Sequence, residues 1–159
     1  MGQPLVDLNA LDLSRDVLPQ EELRSLLPHR GTFQLLDGIC HFDRERKLAV
    51  GYKDWTADAW WAKDHVPGKP IMPGVLMIEG AAQIATVLIK LTSEWEIDRF
   101  IGLAGLNEVR FRGMIVPPAR MYFVSGDMKV SGRRLARMPA QAFCNGQMTL
   151  ELELLGTML

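Results

Sequence analysis

Along residues 75–91 nearly every side chain is apolar; the exceptions are Glu79, Gly80, Gln83, Thr86 and Lys90. A helix that is apolar almost all round belongs in a core rather than on a surface. Pro73-Gly74 marks its start, because proline is tolerated in a first turn and glycine lets the chain bend into it. Glu79 and Gln83, four residues apart, share one face of this helix. An ionisable group there is costly unless it is paired or used. Burial is expected to raise the pKa of Glu79.

On both sides the pattern changes period. Residues 19–27 carry Gln20, Glu21 and Glu22 in a first turn and Leu23, Leu26 and Leu27 on one face, which predicts a short helix stopped by Pro28. Residues 33–36 are apolar, Asp37-Gly38 signals a turn or bulge, and 39–42 continues as strand. Residues 43–47 form a charged turn, and 48–55 alternates as the returning strand. Residues 56–73 are a loop with Trp60 and Trp61 near its start. Three prolines and two glycines between Val66 and Gly74 stiffen it. After the helix, strands are expected over 100–106, 108–111, 121–130, 134–143 and 148–155. Pro117-Pro118 breaks this series, Ser131-Gly132 turns it, and Asn145-Gly146 is a two-residue hairpin signal. Residues 1–16 read as an arm over a sheet edge, so the chain divides into an arm, 1–18, and a single domain, 19–159. A lone apolar helix among antiparallel strands has to be wrapped by their sheet, which makes the class α+β.

Length and composition narrow the function. A chain of 159 residues suits one domain, and 48% hydrophobic with 23% charged residues is an ordinary globular balance. A net charge of −1 gives no reason to expect nucleic acid. The charge is uneven. Residues 110–137 hold seven basic side chains, including Arg133 and Arg134, against one acid, Asp127. That run is either a solvated face or a docking patch for an acidic partner. Cys40 and Cys144 form no CxxC pair and read as two reduced, partly buried thiols, with a disulfide left open. Residues 1–10 lack the basic start and apolar core of a signal peptide. Gly2 is not followed by the Ser or Thr at position 6 that myristoylation wants, since Val6 stands there. Residues 75–91 read as too short and too polar for a membrane span. A cytoplasmic protein is expected.

Three histidines are available: His29, His41 and His65. His41 reads as a strand-end residue. His29 follows a helix end, where capping the last carbonyls is the preferred role. His65 is held by the stiff loop, fourteen residues before Glu79. Alone it would be structural more often than catalytic; with Glu79 it makes a candidate acid/base pair. The His and Cys spacing suits no metal, the glycines form no phosphate cradle, and Ser25, Ser93, Ser125 and Ser131 lack a nucleophile elbow. Trp60 and Trp61 fit an apolar tunnel or plain packing equally well.

Residues 65–83, His-Val-Pro-Gly-Lys-Pro-Ile-Met-Pro-Gly-Val-Leu-Met-Ile-Glu-Gly-Ala-Ala-Gln, closely resemble the signature of the hot-dog-fold (3R)-hydroxyacyl-acyl-carrier-protein dehydratases, nearer the FabZ than the FabA type. Leu27-Pro28-His29-Arg30 resembles the family's opening, and Arg110-Phe111 through Val116-Pro117 is a weaker match. The resemblance implies a hot-dog fold, a curled antiparallel sheet wrapped around one long central helix. It implies a homodimer, or a trimer of dimers, with His65 of one protomer facing Glu79 of the other across a tunnel. His65 would be the base and Glu79 the acid in forming a trans-2-enoyl thioester. The backbone N–H of Gly74 would hold the thioester oxygen, Gln83 would orient Glu79, and Trp60, Trp61, Val66 and Met72 would line the substrate path. No metal or cofactor is implied beyond the phosphopantetheine of an acyl carrier protein, an acidic partner. A glutamate at 79 implies dehydration without isomerisation. Asp64, Val66, Trp60-Trp61 and Pro117-Pro118-Ala119-Arg120 depart from the family pattern. A hot-dog thioesterase and a non-catalytic carrier-binding subunit are the competing readings.

Overall fold

The computed structural model describes residues 2–92, 99–132 and 135–159. The strands are β1 (Leu18–Pro19), β2 (Gly38–Asp43), β3 (Leu48–Trp55), β4 (Ile101–Phe111), β5 (Ala119–Ser125), β6 (Lys129–Ser131), β7 (Leu135–Cys144) and β8 (Gln147–Met158). The helices are α1 (Gln20–Leu26) and α2 (Gly74–Thr92). Among the described residues the strands form one antiparallel sheet in the order β1-β2-β3-β5-β7-β8-β4, with β6 beside β7.

α2 is the inner layer. Met77, Ala81, Ile84, Ala85 and Leu88 are buried in one cluster with Met121, Phe123, Ala136, Ala142, Leu150 and Leu152 from the sheet. Gly80 permits this approach, because a Cβ there would strike the buried ring of Phe123. By length and hydropathy alone α2 is long and apolar enough to cross a membrane, contrary to the expectation from its polar residues. Packing accounts for the apolarity: the sheet curls around it, and more than half of its 19 residues are buried.

The N-terminal arm lies on the outer face of the sheet rather than along an edge. Val6 joins Cys40, Leu48, Val50, Val124 and Phe143 in a second apolar cluster. Gln141 ties the arm down from both ends of its amide: Oε1 accepts from the Leu5 N–H at 2.8 Å and Nε2 donates to the Gln3 carbonyl at 2.9 Å. This second cover explains why Leu48 to Gly51 are buried on both faces of β3.

Some elements differ from the sequence pattern. Residues 121–130 are two strands, not one, because the chain turns through 126–128 with Asp127 at φ 51°. The two strands expected over 100–111 are a single strand, β4, with irregular pairing at Leu103/Gly105 and Asn107/Arg110 and Glu108 at φ 51°. Residues 31–33 form a 3₁₀ turn, so β2 starts only at Gly38. The Asn145-Gly146 hairpin is present, with both residues at positive φ, 50° and 74°, as a type I′ turn requires.

Candidate active site

A cavity of about 400 Å³ opens between α1, α2 and β4. Its floor is apolar, with Ala82, Met138 and Leu154, and its walls carry Arg24, Arg30, Lys90 and Arg99. Glu79, half-buried on the outer side of α2, reaches into it beside His29.

Glu79 is held by one oxygen. His29 Nε2 lies 3.2 Å from Oε1, and the Gln83 amide donates to the same Oε1 at 2.9 Å. Gln83 is wholly buried and spends its remaining polar capacity on the backbone. It donates to the Phe33 carbonyl at 2.7 Å and accepts from the Leu35 N–H at 3.0 Å. The sequence pattern therefore brought Glu79 and Gln83 together correctly, but not the acidity of Glu79. The hydrogen bond from His29 holds its carboxyl below the usual glutamate range; burial opposes this, and Gln83 adds to it.

His29 is the residue that the sequence reading missed. The capping assigned to it belongs to Arg30. Its guanidinium donates to the carbonyls of Leu27 and His29, each at 2.7 Å, and of Arg24 at 2.9 Å. That frees His29 to face Glu79. The signal available was its place in the Leu-Pro-His-Arg match; its helix-end position offered a simpler role.

His65 sits apart from this cluster on the exposed loop. Lys69 N–H to Val66 O, 2.9 Å, closes a turn with Pro67 second and Gly68 third at φ 78°, the geometry of a type II turn. His65 N–H bonds the Trp61 carbonyl at 3.0 Å, and His65 Nδ1 lies 2.7 Å from the Ile71 carbonyl. A carbonyl only accepts, so Nδ1 carries the hydrogen, and in the neutral ring the lone pair is on Nε2. The Glu79 hydrogen bonds within one chain go to His29 and Gln83, not to His65.

The other expected site residues divide. Val66 and Trp60 are exposed. Trp61 and Met72 are core: Trp61 packs edge-on against Trp55 at 5.5 Å, and the Met72 N–H bonds the Ile115 carbonyl at 2.9 Å. Gly74 begins α2 under the Phe111 ring, which a Cβ would meet at 2.7 Å. Four of the five described basic residues in the run from 110 to 137 are paired with carboxylates. Arg110 and Arg112 pair with Glu151, Arg120 with Asp54, and Arg137 with Glu153. Arg133 and Arg134 lie outside the described residues. Both cysteines are free and buried, and burial pushes the Cys40 thiol up to about 11. No cluster of His, Cys, Asp and Glu among the described residues suits a metal ion.

Known proteins resemble this chain in sequence and in fold. The family model for the FabA-like domain matches residues 27–153. The 3-hydroxyacyl-[acyl-carrier-protein] dehydratase FabZ of Clostridium botulinum (strain Eklund 17B / Type B) is 39% identical over 121 residues, covering 73% of this chain and 82% of the relative. The protein of the same name from Chlamydia trachomatis serovar L2 is 34% identical over 141 residues, covering 88% and 92%. Among solved structures, the dehydratase heterocomplex ApeI:P from Xenorhabdus doucetiae superposes with a TM-score of 0.68 at 16% identity, over 86% of this chain and 90% of that one. A Thermus thermophilus thioesterase superfamily member superposes at 0.58 with 16% identity, over 70% and 80%, a likeness of fold alone. The expected hot-dog fold is thus borne out, and with a family match spanning most of the sheet, the central helix and both histidine motifs, the chain belongs to the FabA-like domain family.

Proposed function

We propose that this protein dehydrates (3R)-hydroxyacyl thioesters carried on acyl carrier protein to trans-2-enoyl thioesters, as a cytoplasmic enzyme of acyl-chain synthesis. The relatives of 33–39% identity bearing that name support the reaction. The observation that carries the mechanism is the 2.7 Å contact of His65 Nδ1 with the Ile71 carbonyl, which leaves Nε2 as the ring nitrogen that can take a proton.

His65 Nε2 takes the proton from the carbon next to the thioester. Glu79 gives a proton to the departing β-hydroxyl, which leaves as water. Solvent then returns a proton to Glu79 and removes one from His65. An acyl chain filling the cavity excludes water from Glu79 and shifts it toward the protonated form that the step needs. The backbone N–H of Gly74, at the positive end of the α2 dipole, holds the thioester oxygen as charge builds there. No metal or redox cofactor takes part in this scheme.

Two copies complete the site, with His65 of one chain facing Glu79 of the other. The outer edge of β4 supports this. It ends the sheet order and exposes Leu103, Leu106 and Phe111 along a strand of 11 residues. Such an edge is a template for pairing with another strand. The basic residues of the cavity wall suit the phosphate of a phosphopantetheine arm and an acidic carrier.

The test is incubation with a (3R)-hydroxyacyl thioester on acyl carrier protein, read by mass. Loss of one water is expected. Release of free acid would move the chain to the thioesterases, and an unchanged thioester across several chain lengths would make it a binding subunit.

A further inference from the structure

We propose that His29 is a positioning residue for Glu79, gripping the carboxylate by Oε1 together with Gln83 so that Oε2 is the oxygen that meets the substrate hydroxyl. The inference rests on the dehydratase reading for its consequence, but on geometry for its content. Both donors converge on Oε1, from His29 at 3.2 Å and from Gln83 at 2.9 Å, and among the described residues no hydrogen bond reaches Oε2. A carboxyl whose one oxygen accepts two N–H groups holds its exchangeable proton on the other.

The segment bearing His29 is built to be rigid. Pro28 fixes the backbone before it, and Arg30 clamps the carbonyls of Arg24, Leu27 and His29 itself. His29 Nδ1 is buried with no hydrogen-bond partner among the described residues, so the contact at Nε2 is the polar work that the ring does. A histidine kept for packing alone would not need that nitrogen aimed at the one carboxylate among the described residues that line the cavity. Arg24 on α1, Arg30 after it, Lys90 on α2 and Arg99 before β4 also line the cavity. His29 differs from them in touching the carboxylate.

The test follows Glu79 directly. Protein made with ¹³C-carboxyl glutamate is titrated by NMR, the Glu79 signal being the one absent in Glu79→Gln. Wild type, His29→Ala and His29→Gln are compared, since a Gln amide can place a neutral N–H where Nε2 was. Glu79 should titrate below the ordinary glutamate range in wild type, move up in His29→Ala, and return most of the way in His29→Gln. In parallel, kcat should fall roughly 10–100-fold in His29→Ala with KM within a few-fold, and His29→Gln should recover much of it. An unmoved Glu79 titration in His29→Ala, or wild-type kcat in that variant, overturns the proposal while leaving the dehydratase reading intact. If wild type dehydrates nothing, that reading fails, and the titration still decides whether His29 governs Glu79.

Discussion

Gln83 has no contact with solvent, yet its amide serves three partners: Glu79, the Phe33 carbonyl and the Leu35 N–H. It joins the acid on α2 to the segment that follows His29. Gln83→Leu keeps the bulk and removes every bond. We expect it to destabilise the protein by about 1–3 kcal/mol for each buried backbone group left unpaired, and to lower kcat as Glu79 loosens. Denaturant midpoints and steady-state rates would check this; unchanged stability would mean that water replaces the amide without loss. Glu79 and Gln83 were legible in the sequence because a polar pair four residues apart stands out on an apolar helix. His29 was not, since its partner lies far along the chain and only folding brings α1 beside α2. Nor was the acidity of Glu79, because burial was visible in the pattern and the donor that outweighs it was not.

At the scale of elements, α2 was legible for a simple reason: a long run apolar on all sides can only be a core. The Asn145-Gly146 hairpin was legible because few residues accept two successive positive φ angles. The break between β5 and β6 was not, as side-chain alternation continues through residues that turn only at Asp127. The arm was misplaced because an apolar outer sheet face looks the same in sequence whether an arm or the core covers it. Close packing of α2 on β5 depends on Gly80, whose Cβ would strike Phe123. Phe123 is fully buried and has nowhere to swing. Gly80→Ala should therefore cost about 1–3 kcal/mol despite alanine's higher helix propensity. A raised melting temperature would show that the helix can shift off the sheet without loss.

Over the whole molecule, charge sets the acid limit of stability. Glu79, Asp54, Glu151 and Glu153 all have carboxyls held low by donors: His29, Arg120, Arg112 and Asn107 respectively. A depressed folded-state pKa stabilises above the unfolded value, and that contribution is lost as pH falls through the folded one. Melting temperature should thus hold from about pH 7 to the ordinary carboxylate range and fall below it. The Arg120–Asp54 pair is half-exposed, so solvent screening reduces its contribution. A melting temperature flat down to about pH 3 would contradict this sign.

In the proposed dehydration, His65 of one chain works with Glu79 of another. The most direct measurement co-expresses His65→Ala and Glu79→Gln chains with different tags, isolates the mixed dimers, and assays carrier-bound 3-hydroxyacyl dehydration. Each parent dimer should be slower than wild type by roughly 10²–10⁴-fold. A mixed dimer holds one intact and one doubly altered site, so it should regain about half the activity of wild type. Mixed dimers as slow as their parents would place both groups in one chain or remove one of them from the chemistry.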